Sequence, residues 1–253
     1  MIRTESFSSI SAFNQCPKRY WYQYIEKIER EENEALRGGK RVHEKIALGE
    51  KDDETSFAFE HKRKHAKVAI KDLLKRSLFM NQEEFFFEQE ESPISYLKDF
   101  SLTGYDNPEA IYHGWIDYVR LYVDKKDLRQ AIIAGKGPNF DEHVTRIRLI
   151  DWKTGKGKGD KRQLETYALY YFKKYSIREI ECSFVYQTMK PAIWKMKRGD
   201  VPDTQEWILK NIKKIRSCKE FYPSGVMCSW CGFERKCKGI NKLEEGLNQP
   251  FSL

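Results

Sequence analysis

The stretch that decides the fold class is Val144-Thr145-Arg146-Ile147-Arg148-Leu149-Ile150-Asp151-Trp152-Lys153, which is followed by Thr154-Gly155. Its alternation of apolar and polar residues predicts a half-buried strand. Because side chains alternate between the two faces of a strand, Asp151 and Lys153 point to the same face. We therefore expect a carboxylate and an ammonium group together at the end of an apolar strand. Taken alone, such a pair is also typical of a surface ion pair.

Around this strand the sequence predicts a mixed α/β chain, in the order helices, strands, one helix, strands, helix. The predicted helices cover residues 7–28, a segment that follows Gly38-Gly39 and runs to about Gly49, and residues 57–80, 160–175 and 203–221. The predicted strands cover residues 84–89, 112–121, 144–153, 180–189 and 191–197. Pro17, directly after Cys16, is expected in the first turn of a helix.

Composition restricts the class of protein. The chain has 253 residues with a formal charge of +8, and its 15 Phe, 14 Tyr and 6 Trp supply bulk for a core. This aromatic content excludes general disorder, and no apolar run approaches the ~20 residues of a membrane span. Because no apolar segment follows Met1, no secretory signal is predicted and we expect a soluble, cytoplasmic protein. The pI of 9.0 permits a polyanionic partner.

Other polar residues accompany the Asp-x-Lys strand. Gly114-Trp115-Ile116-Asp117 places a second carboxylate on an apolar strand, and His43 ends a Gly-Gly-x-x-x-His pattern on a predicted helix. Two carboxylates and an imidazole suit Mg²⁺ or Mn²⁺. Gln163 and Tyr167 lie four residues apart and therefore share one helix face. Each of these residues, taken singly, is also an ordinary helix or surface residue.

The cysteines predict a metal centre. Cys228, Cys231 and Cys237 form a C-x2-C-x5-C run, and thiols clustered in a reducing compartment bind metal more often than they pair. A zinc site or a cubic iron–sulfur cluster needs four thiolates, so a fourth ligand must come from elsewhere. The candidates are Cys16, Cys182, which the alternation of residues 180–186 favours as a buried strand thiol, and Cys218.

In their order along the chain, these residues resemble the RecB-like branch of the PD-(D/E)xK nuclease superfamily. The matching pieces are His43, Gly114-x-Ile116-Asp117, Ile150-Asp151-Trp152-Lys153-Thr154-Gly155 and Gln163-x3-Tyr167. The cysteine pattern is similar to that of the iron–sulfur members, which include the AddB nuclease domain, CRISPR-associated RecB-like exonucleases and small phage proteins. The resemblance spans residues 7 to 237.

The resemblance implies a restriction-endonuclease-like fold, a mixed sheet flanked by helices with the site at one strand end. It implies that Asp117, Asp151 and Lys153 are catalytic and that Lys153 orients or deprotonates the attacking water. The divalent metal, Mg²⁺ or Mn²⁺, would be held by His43, Asp117, Asp151 and the backbone carbonyl of Trp152. Gln163 and Tyr167 would support the active site and the DNA strand.

The resemblance also implies a [4Fe–4S] cluster on Cys16, Cys228, Cys231 and Cys237, with Zn²⁺ as the alternative at the same cysteines. Residues 1–253 would form a single nuclease domain, with a core at 84–200. Within it, residues 1–49 and 203–240 would form a helical region joined by the cluster.

The predicted function is a metal-dependent DNA exonuclease for recombination, repair or phage DNA processing. Its substrate would be single-stranded or end-containing DNA in the cytoplasm, or in the host cytoplasm if the protein is phage-encoded. The expected protein partners are a helicase, a recombinase or a single-strand-binding protein. Because the sequence contains no G-x4-G-K-[ST] motif, any unwinding must come from a partner. The alternatives are an inactive DNA-binding or scaffold module with the same fold and cluster, and a zinc-dependent nucleic-acid-binding protein.

Two basic stretches suit a DNA phosphate backbone. One runs from Asp151 to Arg162, and the other, Lys190 to Arg198, carries four cations and Trp194. Cations with aromatic rings suit single-stranded DNA through charge neutralisation and base stacking. The second stretch is equally typical of a strand edge protected by lysines.

Overall fold

A computed structural model describes residues 3–30, 34–62, 84–124, 143–155, 157–226, 228 and 231–239 of the chain. Five strands form one sheet: β1 (Glu84–Tyr96), β2 (Tyr112–Asp124), β3 (Val144–Lys153), β4 (Glu179–Tyr186) and β5 (Ala192–Lys197). They lie in the order β1-β2-β3-β4-β5. Within this sheet β3 and β4 pair in parallel, and the other neighbours pair antiparallel.

The helices lie on both faces of this sheet. They are α1 (Phe7–Gln15), α2 (Pro17–Tyr20), α3 (Glu34–Ala47), α4 (residues 56–62), α5 (Lys161–Lys174), α6 (Val201–Ser217) and α7 (Glu234–Cys237). The connection from β3 to the parallel strand β4 runs through α5, as a parallel pair requires.

Two apolar clusters hold the helices to the sheet. On one face, α1, α5 and α6 pack against the sheet with Ile147 and Leu149 of β3 in the cluster. On the other face, α3 and α4 pack against a smaller cluster that includes Ile150 and Trp152 of β3. Because β3 contributes alternate residues to the two clusters, it is covered on both faces. The predicted mixed α/β class, with a central mixed sheet flanked by helices, is confirmed.

The predicted helix over residues 7–28 is wrong as one element. The chain leaves the helical conformation at Cys16, whose φ is −159°, and Pro17 opens α2 as predicted. A π-helical turn, Trp21–Ile25, follows. Pro17 has no backbone N–H and its ring clashes with the preceding turn, so one continuous helix across it is unfavourable.

Other boundaries also differ. Helix α3 begins at Glu34, so Gly38 and Gly39 lie inside it rather than before it. Strand β1 extends to Tyr96, seven residues beyond the predicted end, because it pairs with β2 along most of its length. Of the predicted helix over 57–80, residues 57–62 are helical, and 63–80 lie outside the described residues. Among the helices of the described ranges, none has the length and apolarity needed to cross a bilayer.

Candidate active site

The site begins where β2 and β3 separate. The pairing of the two strands reaches Tyr118 and Ile150 at this end. Beyond it, the Trp152 backbone N–H donates a 2.8 Å hydrogen bond to Asp117 Oδ2. The Asp117 carboxylate thus satisfies a backbone donor of β3 that the β2–β3 ladder leaves without a partner.

An irregularity in β2 sets the direction of Asp117. Its neighbours Ile116 and Tyr118 are two residues apart, yet they belong to the apolar clusters on opposite faces of the sheet. In β1, Glu91 has a φ of 50° and lies between residues paired with Ile116 and Tyr118. The alternation of β2 is therefore broken at Asp117, opposite a β1 residue with a left-handed backbone, while the register of the two strands is the same on both sides.

Three side chains form a connected ring at the end of β3. Lys153 Nζ lies 2.6 Å from Asp151 Oδ1 and donates a 2.9 Å hydrogen bond to Gln163 Oε1. Gln163 Nε2 donates to Asp151 Oδ2 at 2.5 Å and lies 3.4 Å from the Tyr167 hydroxyl oxygen. Four of the predicted site residues are therefore in direct contact.

Helix α5 is anchored to the sheet beside this ring, through residues that the sequence did not single out. Tyr96 Oη donates to the Thr166 carbonyl and Tyr112 Oη to the Thr166 hydroxyl, both at 2.8 Å. At Gly114 a Cβ atom would lie 2.7 Å from the Tyr167 ring. The glycine therefore permits the close approach of β2 to α5 that places Gln163 and Tyr167 at the site.

Helix α3 brings the imidazole from the other face of the sheet. His43 Nδ1 lies 3.6 Å from Asp117 Oδ2. Val42 and Ile46 are buried in the smaller cluster and fix this face of the helix. One turn before His43, a Cβ atom at Gly39 would lie 3.0 Å from Thr154 Oγ1, directly after β3. A small residue at this position lets the helix lie close to the site.

The Asp151 carboxyl group is buried, that of Asp117 is half-buried, and the two repel each other when ionised. Burial, followed by the charge of Asp151, raises the pKa of Asp117 well above its ordinary value. Burial also raises the pKa of Asp151, although the Lys153 ammonium opposes the shift. Desolvation and like charge both disfavour an ionised carboxylate, so this pair favours binding of positive charge.

The donor set fits a divalent cation in its chemistry. Asp151 Oδ1 is buried and has no hydrogen-bond donor, since the Lys153 contact lacks hydrogen-bond geometry. Carboxylate oxygens with one imidazole suit Mg²⁺ or Mn²⁺. The imidazole and the two carboxylates do not surround one point, however. Within the described ranges, no three His, Cys, Asp or Glu side chains are grouped closely enough to hold an ion.

Comparison with known families decides the classification. A sequence model of the PD-(D/E)XK nuclease superfamily matches residues 4–238. The chain belongs to the PD-(D/E)XK nuclease superfamily. No curated protein matches the sequence. Among solved structures, the crystal structure of SSO0001 is similar at 12% identity and a TM-score of 0.39, over 94% of this chain and 87% of that one.

The cysteines of this superfamily member fall into two groups. Four of them line a single pocket beside α2 and α7: Cys16, Cys228, Cys231 and Cys237. Burial and the neighbouring thiols raise the pKa of Cys237. Cys182 is fully buried in the core, as predicted, and the Cys218 thiol donates to the Glu220 carbonyl instead.

Several cations of the two basic stretches already contact acidic side chains or backbone carbonyl groups of the protein. Arg162 pairs with Asp203, Lys195 pairs with Glu179, and Arg198 donates to the carbonyls of Tyr175 and Ile177. Lys156 lies outside the described residues. These contacts favour the interpretation of the second stretch as a strand edge protected by charge.

Proposed function

We propose that this PD-(D/E)XK nuclease is a DNA exonuclease that depends on Mg²⁺ or Mn²⁺. It would hydrolyse phosphodiester bonds in single-stranded or end-containing DNA during recombination, repair or phage DNA processing. The observation that carries the proposal is the contact of Lys153 with the buried Asp151 and with Gln163, next to the half-buried Asp117. A surface ion pair would need neither the burial of Asp151 nor a second carboxylate.

Each residue has a defined part in this proposal. His43, Asp117, Asp151 and the Trp152 carbonyl would hold the divalent ion, which, when bound, neutralises phosphate charge and lowers the pKa of water. Lys153 would orient or deprotonate the attacking water. Gln163 holds the Lys153 ammonium and the Asp151 carboxylate in place through one amide group, with Tyr167 behind it.

A substrate comparison tests the activity. We would incubate end-labelled single-stranded and double-stranded linear DNA and a circular DNA with Mg²⁺ or Mn²⁺. An exonuclease degrades the linear substrates and leaves the circle intact. Absence of cleavage in either metal would favour the DNA-binding module, and cleavage of the circle would indicate an endonuclease.

The role of Lys153 is tested by substitution. We expect Lys153→Ala to abolish cleavage while DNA affinity stays within a few-fold, because the ammonium acts on the water rather than on the bulk of the DNA. Lys213→Ala, which removes an exposed lysine from α6, is the matched control. Full residual cleavage by Lys153→Ala would contradict the assignment.

We further propose that Cys16, Cys228, Cys231 and Cys237 hold a [4Fe–4S] cluster, with Zn²⁺ as the alternative. Support comes from the pocket that these four residues line, which does not include Cys182 or Cys218, although the described side chains are not grouped closely enough to hold an ion as they stand. Four thiolates suit either centre. Iron, sulfide and zinc analysis of anaerobically purified protein distinguishes them. We expect Cys231→Ser to lose the metal and Cys218→Ser to retain it.

A further inference from the structure

Trp194, which the sequence of the second basic stretch suggested for base stacking, is covered by other side chains. Trp194 packs against the Phe184 ring at a centroid distance of 5.2 Å, and Lys161 Nζ lies 5.5 Å from the centre of its ring. Its indole Nε1 is buried as well. A base would have to displace these contacts, so Trp194 is a poor stacking surface.

A different aromatic cluster is open to solvent. Trp115 on β2 is 45% exposed. The Tyr105 ring contacts both His113 and Trp115. It stacks on the imidazole at 4.9 Å with 5° between the planes and meets the indole at 5.0 Å with 56° between them. We name Tyr105, His113 and Trp115 the aromatic platform.

The loop that carries Tyr105 is held in one arrangement by hydrogen bonds. Asn107 donates from its backbone N–H to the Gly104 carbonyl and from its side chain to Thr103 Oγ1 at 2.6 Å. The end of the loop is fixed to the N-terminal segment, since Thr4 Oγ1 donates to the Ala110 carbonyl at 2.8 Å. The rings are therefore ordered before a ligand arrives, which lowers the entropic cost of binding.

The platform adjoins the catalytic carboxylate. Residues 112, 114 and 116 point into the larger core, so His113 and Trp115 lie on the opposite face of β2, and Trp115 precedes Asp117 by two residues. Two residues along a strand span about 7 Å, or about two nucleotide steps of about 3.4 Å. His43 contacts Asp117 from α3, which packs on the same face of the sheet.

We propose that the aromatic platform stacks an unpaired base of single-stranded DNA beside the phosphodiester that would be cleaved next to Asp117 and Asp151. This inference rests on the proposed nuclease function and specifies its substrate. Indole and phenol rings bind any base through its π-face, without reading sequence. Within a duplex each base is covered by its neighbours, so the platform selects a single strand or a frayed end.

The test separates this subsite from catalysis. The affinity of a fluorescein-labelled single-stranded oligonucleotide is measured without divalent cations, so that nothing is cleaved, and that of a blunt duplex with capped ends is measured in parallel. We expect Trp115→Ala to weaken single-strand binding by about 5- to 100-fold, the loss that one stacked base represents, and to leave duplex binding unchanged. Trp115→Phe, which retains an aromatic face, should recover most of the affinity.

Leu209→Ala is the matched control, because it truncates a side chain that is 40% exposed on α6. Single-strand affinity unchanged in Trp115→Ala, or an equal loss for single strand and duplex, would overturn the platform. If the wild-type protein cleaves no DNA but Trp115→Ala still loses single-strand affinity, the nuclease proposal fails and the platform stands. If Lys153→Ala loses cleavage and Trp115→Ala keeps its single-strand affinity, the nuclease proposal stands and the platform fails.

Discussion

Asp117 and Asp151 both belong to the candidate site, but their surroundings lower the stability of the folded protein at neutral pH. Both carboxyl groups have raised pKa values, first because of burial. A carboxyl group with a higher pKa in the folded state binds more protons when folded. Its favourable contribution is complete below the unfolded-state pKa and is lost as the pH rises through the folded-state pKa. The raised pKa values of the two carboxyl groups therefore make the folded state less stable at neutral pH than at acidic pH.

The raised pKa of Asp117 leads to a prediction for Asp117→Asn. The amide retains an oxygen that can accept from the Trp152 N–H but carries no charge. Without divalent ions at pH 7, we expect its melting temperature to exceed that of the wild type by about 2–4 °C, which corresponds to roughly 1 kcal/mol in a chain of this size. Thermal unfolding at pH 4 and pH 7 measures the effect, which should shrink at the lower pH. Asp106→Asn, at an exposed loop position, is the control, and a less stable Asp117→Asn at pH 7 would refute the argument.

The backbone at Gly114 leads to a second prediction at this scale. In Gly114→Ala the new methyl group meets the buried Tyr167 ring at 2.7 Å. Overpacking of this kind costs about 1–3 kcal/mol, and here it also displaces the residue that contacts Gln163. We expect lower stability in chemical denaturation and slower DNA cleavage. Gly104→Ala, where no atom lies within 4 Å of the new Cβ, should leave both unchanged.

Among the elements, α3 shows how helix propensity and site geometry compete. It contains two successive glycines, and their surroundings differ. A Cβ atom at Gly38 would meet nothing within 4 Å, whereas one at Gly39 would lie 3.0 Å from Thr154 Oγ1. Glycine costs a helix interior about 0.5–1 kcal/mol relative to alanine. Gly38 therefore weakens the helix with no contact that requires it.

The glycine pair supplies its own matched control. We expect Gly38→Ala to stabilise the protein by about 0.5–1 kcal/mol with normal cleavage. Gly39→Ala should cleave DNA more slowly than Gly38→Ala, because the methyl group presses α3 away from Thr154 and shifts His43 relative to Asp117. Denaturant unfolding and cleavage rates measured side by side decide the point. Equal cleavage by the two variants would show that the approach at Gly39 does not position His43.

Periodicity and motif spacing predicted β3 within its observed bounds and brought Asp151, Lys153, Gln163 and Tyr167 together. They failed where pairing between distant segments decides the outcome. The break in alternation at Asp117 lies opposite Glu91 of β1, which has a positive φ, whereas the alternation of β2 alone predicts a regular strand. Likewise, only cross-element packing shows that Trp194 is covered while Trp115 is exposed.

At the scale of the whole molecule, the N-terminal helices and the segment after α6 pack together through aromatic rings. Phe221 contacts Phe13, Tyr20 and Trp21 at centroid distances of 6.1, 6.0 and 4.9 Å. Tyr20 is fixed in turn by the buried Glu5, to which its hydroxyl donates at 2.7 Å. The two regions that the proposed cluster would join therefore already meet through apolar contacts.

The aromatic contacts of Phe221 connect the same two regions as the proposed cluster, so the effect of losing the cluster can be predicted. A crosslink from Cys16 to Cys237 closes a loop of about 220 residues, and by the chain-entropy relation for crosslinks it is worth up to about 5 kcal/mol. Because the aromatic contacts remain, we expect Cys231→Ser to stay folded by circular dichroism but to melt about 10–20 °C below the wild type. Cys218→Ser, whose thiol lies outside the shared pocket, should melt with the wild type. A metal-loaded wild type that melts at the same temperature as Cys231→Ser would show that the centre does not brace the fold.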